Sequence, residues 1–188
     1  MLYKKIIFSA AFFCVTVSAM ADQQPQFNHY QGQYINFNAG AAFANKIAQQ
    51  SQLRSGFLGA AVNAFLGTTL NPYFGAEIGS GYYSFGSNGG ASITSINIRF
   101  TAPIGSRFSL FAKLGAGFGE VTTRIVDGQS AEISDNVVPA LGLGVGYGLT
   151  EQWMLSLEAN GACFPKATGN ASGVIGGLTI GATRYFNT

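Results

Sequence analysis

Charge is scarce in this chain. Asp, Glu, Lys and Arg make up 10% of its 188 residues, against about 25% in an ordinary soluble domain, so a solvated surface is hard to build from it. With Lys4 and Lys5 set aside, eight basic and eight acidic side chains remain, and the apparent net charge of +2 is gone. That balance excludes a basic face for nucleic acid. Cysteine is nearly lacking: Cys14 lies in an N-terminal apolar run and Cys163 has no partner after it. A disulfide framework is thereby excluded, and Cys163 is read as a buried, unreactive thiol. Histidine occurs once, at His29. Beyond the first twenty-odd residues no run of about 18 apolar residues exists to form a membrane-spanning helix.

Yet 47% of the residues are hydrophobic and 26 are glycine. A chain too apolar for water and without spanning helices has one way left to cross a bilayer, a closed barrel in which every backbone group is paired. The N-terminus fits export. Lys4 and Lys5 precede the apolar stretch Ile6 to Val17, and Ser18-Ala19-Met20-Ala21 places small residues before a cleavage point, as in a secretory signal. Residues 1–21 are read as that signal, with Cys14 as filler, and residues 22–33, Gln-rich and aperiodic, as a flexible periplasmic lead-in. Residues 34–188 then form one domain.

From Tyr34 the pattern has period two. Ile35, Phe37, Ala39, Ala41 and Phe43 share one face, and Asn36, Asn38 and Gly40 the other. Leu58 to Leu66, Phe74 to Tyr82 and Ile96 to Phe100 repeat the alternation, followed by Leu110 to Phe118, Leu141 to Tyr147, Trp153 to Ala159 and a strand over about Val174 to Phe186. In the sixth segment Leu141, Leu143, Val145 and Tyr147 oppose four glycines, Gly142, Gly144, Gly146 and Gly148. The eighth carries Arg184 on its apolar parity, which leaves its register open. Connections alternate: 67–71, 102–107 and 150–152 are short, while 44–55, 84–91, 122–136 and 164–172 are long. An even strand number with short turns at one end and long loops at the other is the pattern of an eight-stranded antiparallel transmembrane β-barrel. Both termini and the short turns are then expected in the periplasm.

Charge placement tests this. Lys46, Arg54, Glu120, Arg124, Asp127, Glu132, Asp135 and Lys166 fall in or beside long loops, and Arg107 and Glu151 in short turns. Glu77, Arg99, Lys113 and Glu158 are mid-strand, all on the polar parity. An Arg or Lys facing lipid at mid-membrane costs about 2–4 kcal/mol, so the apolar parity is assigned to lipid. A soluble lipocalin-like barrel would invert this and expose mostly Gly, Ser and Asn, a poor solvent face. Trp153, Phe74, Phe100 and Phe108 lie near the short-turn end, and Phe43, Tyr82 and Phe118 near the long-loop end. They are assigned to two interfacial girdles.

The stretches Asn71-Pro72-Tyr73-Phe74-Gly75-Ala76-Glu77, Arg107 to Gly117 and Leu141 to Tyr147 resemble the OmpA-like and opacity-type superfamily of small outer-membrane barrels. The resemblance implies a barrel with a filled polar interior that serves envelope integrity, adhesion or host interaction. It also departs from the family. No peptidoglycan-binding domain is expected after the barrel, and Asn187-Thr188 follow the terminal aromatic Phe186, so Arg184-Tyr185-Phe186 is an imperfect signal for the barrel-assembly machinery.

Pointing into so narrow a barrel, Glu77, Arg99, Lys113 and Glu158 must meet one another or ordered water. Glu77 is expected near Arg99, and Lys113 near Glu158 across the sixth strand. The set is either a gate in a narrow porin-like channel or a polar plug, and the plug is preferred. Glycines of the sixth strand leave room for water or for a large neighbour such as Phe111. His29 precedes the first strand, so a Ser–His pair at the outer rim is not expected, although carboxylate chemistry stays open. Asp127, Glu132 and Asp135 are read as a solvated acidic loop rather than a cation site. No cofactor or metal is expected. Three functions compete, in this order: a non-enzymatic surface protein whose loops meet lipopolysaccharide, host molecules or other cells; a narrow channel; and an enzyme acting on lipid.

Overall fold

The structure, a computed structural model, describes residues 30–45, 57–86, 89–124, 130–167 and 171–186, with the backbone alone at 57, 123–124, 130–136, 165–167 and 171–172. The signal 1–21, the lead-in up to His29, and Lys46, Arg54 and Asp127 lie outside the described residues.

Eight strands follow in order: β1 (Gly32–Asn45), β2 (Phe57–Asn71), β3 (Phe74–Ser84), β4 (Gly89–Ile104), β5 (Phe108–Arg124), β6 (Ser130–Gly148), β7 (Trp153–Ala167) and β8 (Ala171–Phe186). Each pairs antiparallel with its neighbours in sequence, and β1 closes the barrel against β8, from Gln33 opposite Phe186 to Asn45 opposite Val174. Closure leaves no sheet edge within the paired belt, which a lipid environment requires.

Period two decides where each side chain goes. The outward parity is apolar: Leu58, Leu66, Ile96, Leu143 and Ile180 are all exposed. Asn36, Asn38, Asn63, Asn97 and Thr179 are buried inside. Through its middle the barrel is polar within and apolar without, the reverse of a water-soluble barrel. Cys163 is half-buried rather than buried.

The turns are built by short polar residues and glycine. Asn71 Oδ1 accepts hydrogen bonds from the N–H groups of Tyr73 and Phe74, both at 2.9 Å. Thr150 Oγ1 accepts from Trp153 N–H at 3.1 Å. Gly105 adopts φ 65°, which favours glycine. The strands run further than the sequence pattern suggested. Residues 67–71 belong to β2, so that turn shrinks to Pro72-Tyr73. Most of the segments 122–136 and 164–172 are strand, because β5, β6, β7 and β8 continue into them. Their polar composition hides an extended backbone that pairs above the apolar belt.

Candidate functional site

The lumen is filled in layers. At the short-turn end Tyr34, Met154 and Tyr185 pack together with Tyr30 against them. Above them Lys113, on β5, reaches across the barrel to two carboxylates. Its Nζ is 2.9 Å from Glu77 Oε1 on β3 and 2.9 Å from Glu158 Oε2 on β7. Tyr34 Oη donates to Glu77 Oε2 at 2.9 Å, Asn160 Nδ2 donates to Glu158 Oε1 at 3.1 Å, and Tyr83 Oη donates to Asn160 Oδ1 at 3.0 Å. A continuous polar chain thus runs from Tyr34 to Tyr83 through five contacts. A second network joins Asn38 to Asn36 at 2.6 Å and Asn36 to Thr183 at 2.8 Å.

Toward the long-loop end the lumen turns apolar: Phe85, Val121, Val138, Phe164 and Ile175 are 3% exposed or less and belong to one cluster. Between polar chain and apolar cap lies a cavity of about 20 Å³ lined by residues that include Tyr83, Asn97, Lys113 and Glu158, room for about one water molecule.

Lys113 and Glu158 meet across β6, as their parity suggests. Gly142 allows it, because a Cβ there would lie 3.3 Å from both Lys113 carbons and Glu158 Oε1. Glu77 takes Lys113 as its ion partner, and no ion pair joins it to Arg99 among the described residues. Register supplies the reason. Glu77 stands opposite Asn97, while Arg99 stands opposite Gly75 on one side and Lys113 on the other. Two cations side by side repel. Lys113 turns to the carboxylates, and the Arg99 guanidinium lies over the Phe111 ring at 4.1 Å, a cation–π arrangement.

Phe111 in turn fills the space left at Gly144, where a Cβ would collide with its ring. Gly146 accepts Met154, and Gly148 accepts Tyr30. Sequence reading foresaw neither the tyrosines that end the polar chain nor the apolar cap. Both were signalled by parity, since Tyr34 lies two residues before Asn36, and Tyr83, Phe85, Ala91 and Ile93 continue the inward face.

Residues 7–186 match the family described as outer membrane protein beta-barrel domain. The chain belongs to that family. Among solved structures this outer-membrane barrel is similar to Neisserial surface protein A, with 15% identity and a TM-score of 0.66, over 82% of this chain and 97% of that one. It is also similar to Ail, the attachment invasion locus protein of Yersinia pestis, at 16% identity and 0.54, over 81% and 99%. The N-terminal barrel domain of OprF from Pseudomonas aeruginosa matches at 15% and 0.54, over 81% and 99%. Identities this low carry the fold alone. No curated protein sequence matches the chain.

On the wall of this outer-membrane barrel all seven aromatics assigned to girdles point outward: Trp153, Phe74, Phe100 and Phe108 at one end, Phe43, Tyr82 and Phe118 at the other. Phe74 and Phe100 meet edge to face at 5.4 Å, and Phe108 packs on Tyr147 at 4.9 Å. Arg184 shares the outward parity and stands opposite Trp153. At the short-turn mouth Tyr30 Oη donates to the Thr150 carbonyl at 2.6 Å. Burial raises its phenol above the usual 10.0.

Proposed function

We propose that this outer-membrane barrel is a non-conducting, non-enzymatic anchor that carries its long-loop end outside the cell, with both termini in the periplasm. The observation behind this reading is the filled lumen. An eight-stranded barrel has an interior just wide enough for side chains, and here a charge layer is followed by a packed apolar cap on the way out. Ions crossing it would have to displace Phe85, Val121, Phe164 and Ile175 from full burial.

The strands also outrun the membrane. β5 has 17 residues. At about 3.3 Å per residue and a tilt of about 40° it rises about 43 Å, against an apolar band of about 25 Å. The excess, at the long-loop end, would stand in the lipopolysaccharide layer and beyond. There β6 pairs with β7 only from Ala140 onward, so residues 130–135, 138 and 139 pair with β5 and not with β7, with a bulge at 136–137, and extracellular ligands would meet this hairpin and the loops. The fold is shared with proteins whose names describe a surface protein and an attachment and invasion locus, which is in keeping with adhesion or host contact here. Loops on a rigid scaffold vary without disturbing it.

Conductance of the refolded protein in a planar bilayer tests the reading, with Lys113→Ala and Glu158→Ala beside wild type. A silent wild type, with folding checked by heat-modifiable gel migration, is the expected result. Discrete steps altered by either substitution would favour the narrow channel, for which the charges on the lumen wall are the one supporting observation.

A further inference from the structure

We propose that Arg184, set between Trp153 and Phe186 on the outer wall, binds the phosphate of an anionic glycerophospholipid, one whose headgroup carries no cation to offset that phosphate, in the leaflet at the short-turn end. Among the described residues, Arg184 and Glu120 are the charged side chains on the outward strand parity, and they sit at opposite ends of the barrel. The cross-strand partners of Arg184 are Trp153 and Ile35, and its same-face neighbours on β8 are Ala182 and Phe186. Its guanidinium carbon lies 5.7 Å from the Trp153 ring centroid and 5.4 Å from that of Phe186.

The rings anchor the guanidinium at the level of the aromatic girdle, where headgroups lie. They offer it no counter-charge. No ion pair or hydrogen bond joins the Arg184 side chain to any described residue, Glu151 on the adjoining turn included. The membrane medium supplies at that depth a phosphate, which the planar fork of arginine holds through two parallel N–H donors. Lipid A carries phosphate too. With the long-loop end outside the cell, the orientation proposed above on which this step rests, the site lies in the opposite, glycerophospholipid leaflet.

Trp153 is the only tryptophan and touches the site, so it reports on it. Full-length protein refolded into phosphatidylcholine vesicles is titrated with phosphatidylglycerol carrying brominated acyl chains, and Trp153 quenching is read. Wild type is expected to prefer phosphatidylglycerol over brominated phosphatidylcholine by about fivefold. Arg184→Gln brings the ratio to about one, the value for no charge selectivity. Arg184→Lys, which keeps the charge and loses the fork, falls between, and it carries the test if the glutamine variant does not refold. Equal preference in wild type and Arg184→Gln, a lysine variant that matches wild type, or no preference in wild type overturns the proposal. Displacement of brominated phosphatidylglycerol by an equal mole fraction of unlabelled lipid A would overturn the assignment to glycerophospholipid, and failure to displace supports it.

Discussion

Replacing Lys113 by methionine keeps the length of the side chain and removes the one cation that touches both Glu77 and Glu158. Glu77 and Glu158 are 3% and 1% exposed, so neither carboxylate can turn to bulk water. Removing one partner of a buried ion pair costs about 3–5 kcal/mol, because the other is left desolvated without compensation. The lysine also lies over the Phe65 ring at 4.2 Å. Methionine restores part of that contact through its sulfur, worth about 0.3–1.5 kcal/mol, so the ring adds little to the loss. Lys113→Met is therefore expected to unfold about 3–5 kcal/mol more easily than wild type. The assay is urea titration in lipid vesicles, followed by Trp153 emission. Adding Glu77→Gln and Glu158→Gln to the same chain removes both orphaned charges, and should bring stability back to within about 1 kcal/mol of wild type. A single variant within about 1 kcal/mol of wild type, the range of a solvent-exposed pair, would refute the reasoning, since it would mean that water solvates the carboxylates inside the barrel.

Gly144→Ala drives a methyl group into the Phe111 ring and to within 2.7 Å of the Leu157 carbonyl oxygen and is expected to cost about 1–3 kcal/mol, only the ring's share of it recovered when Phe111→Leu is added; a double-mutant cycle in urea measures the coupling. Asn63 is buried, with neither amide atom hydrogen-bonded among the described residues, so Asn63→Leu should stabilise by about 1 kcal/mol in the same titration. Tyr30→Phe removes the hydrogen bond to Thr150 and should cost about 1 kcal/mol. Because the folded phenol titrates above its unfolded value of 10.0, that contribution is fully present below pH 10 and is lost as pH rises through the folded value. Parallel melts of wild type and Tyr30→Phe should converge there.

Much of the barrel was legible because period two survives translation into structure without loss. Once Leu58, Leu66, Ile98 and Leu143 were assigned to one face, the inward direction of Glu77, Arg99, Lys113 and Glu158 followed. The partner of Glu77 was not legible. It depends on stagger between neighbouring strands, which sets Arg99 opposite Gly75, and alternation within a strand carries no information about stagger. The apolar cap was missed for a related reason. At Ile93 and Val121 the contrast reverses, with the apolar side chains pointing in and Ser92, Thr94, Glu120 and Thr122 alternating with them on the outer face, so a parity rule that sends apolar residues to lipid assigns these positions the wrong way. Loop lengths were overestimated where polar composition coincides with strand, as in β6 at residues 130–136.

The glycine face of β6 has a consequence for how the barrel finds its alignment. A slide of that strand by two residues would leave Leu141, Leu143 and Val145 facing lipid as before, so the lipid-facing pattern does not oppose it. Nor do bulky side chains of its own resist, since its inward positions from Gly142 to Gly148 are all glycine. What opposes the slide is held by other residues: Lys113, Phe111, Met154 and Tyr30 each seat against one glycine in turn. The alignment of β6 is thus encoded outside β6, chiefly in the strands that flank it.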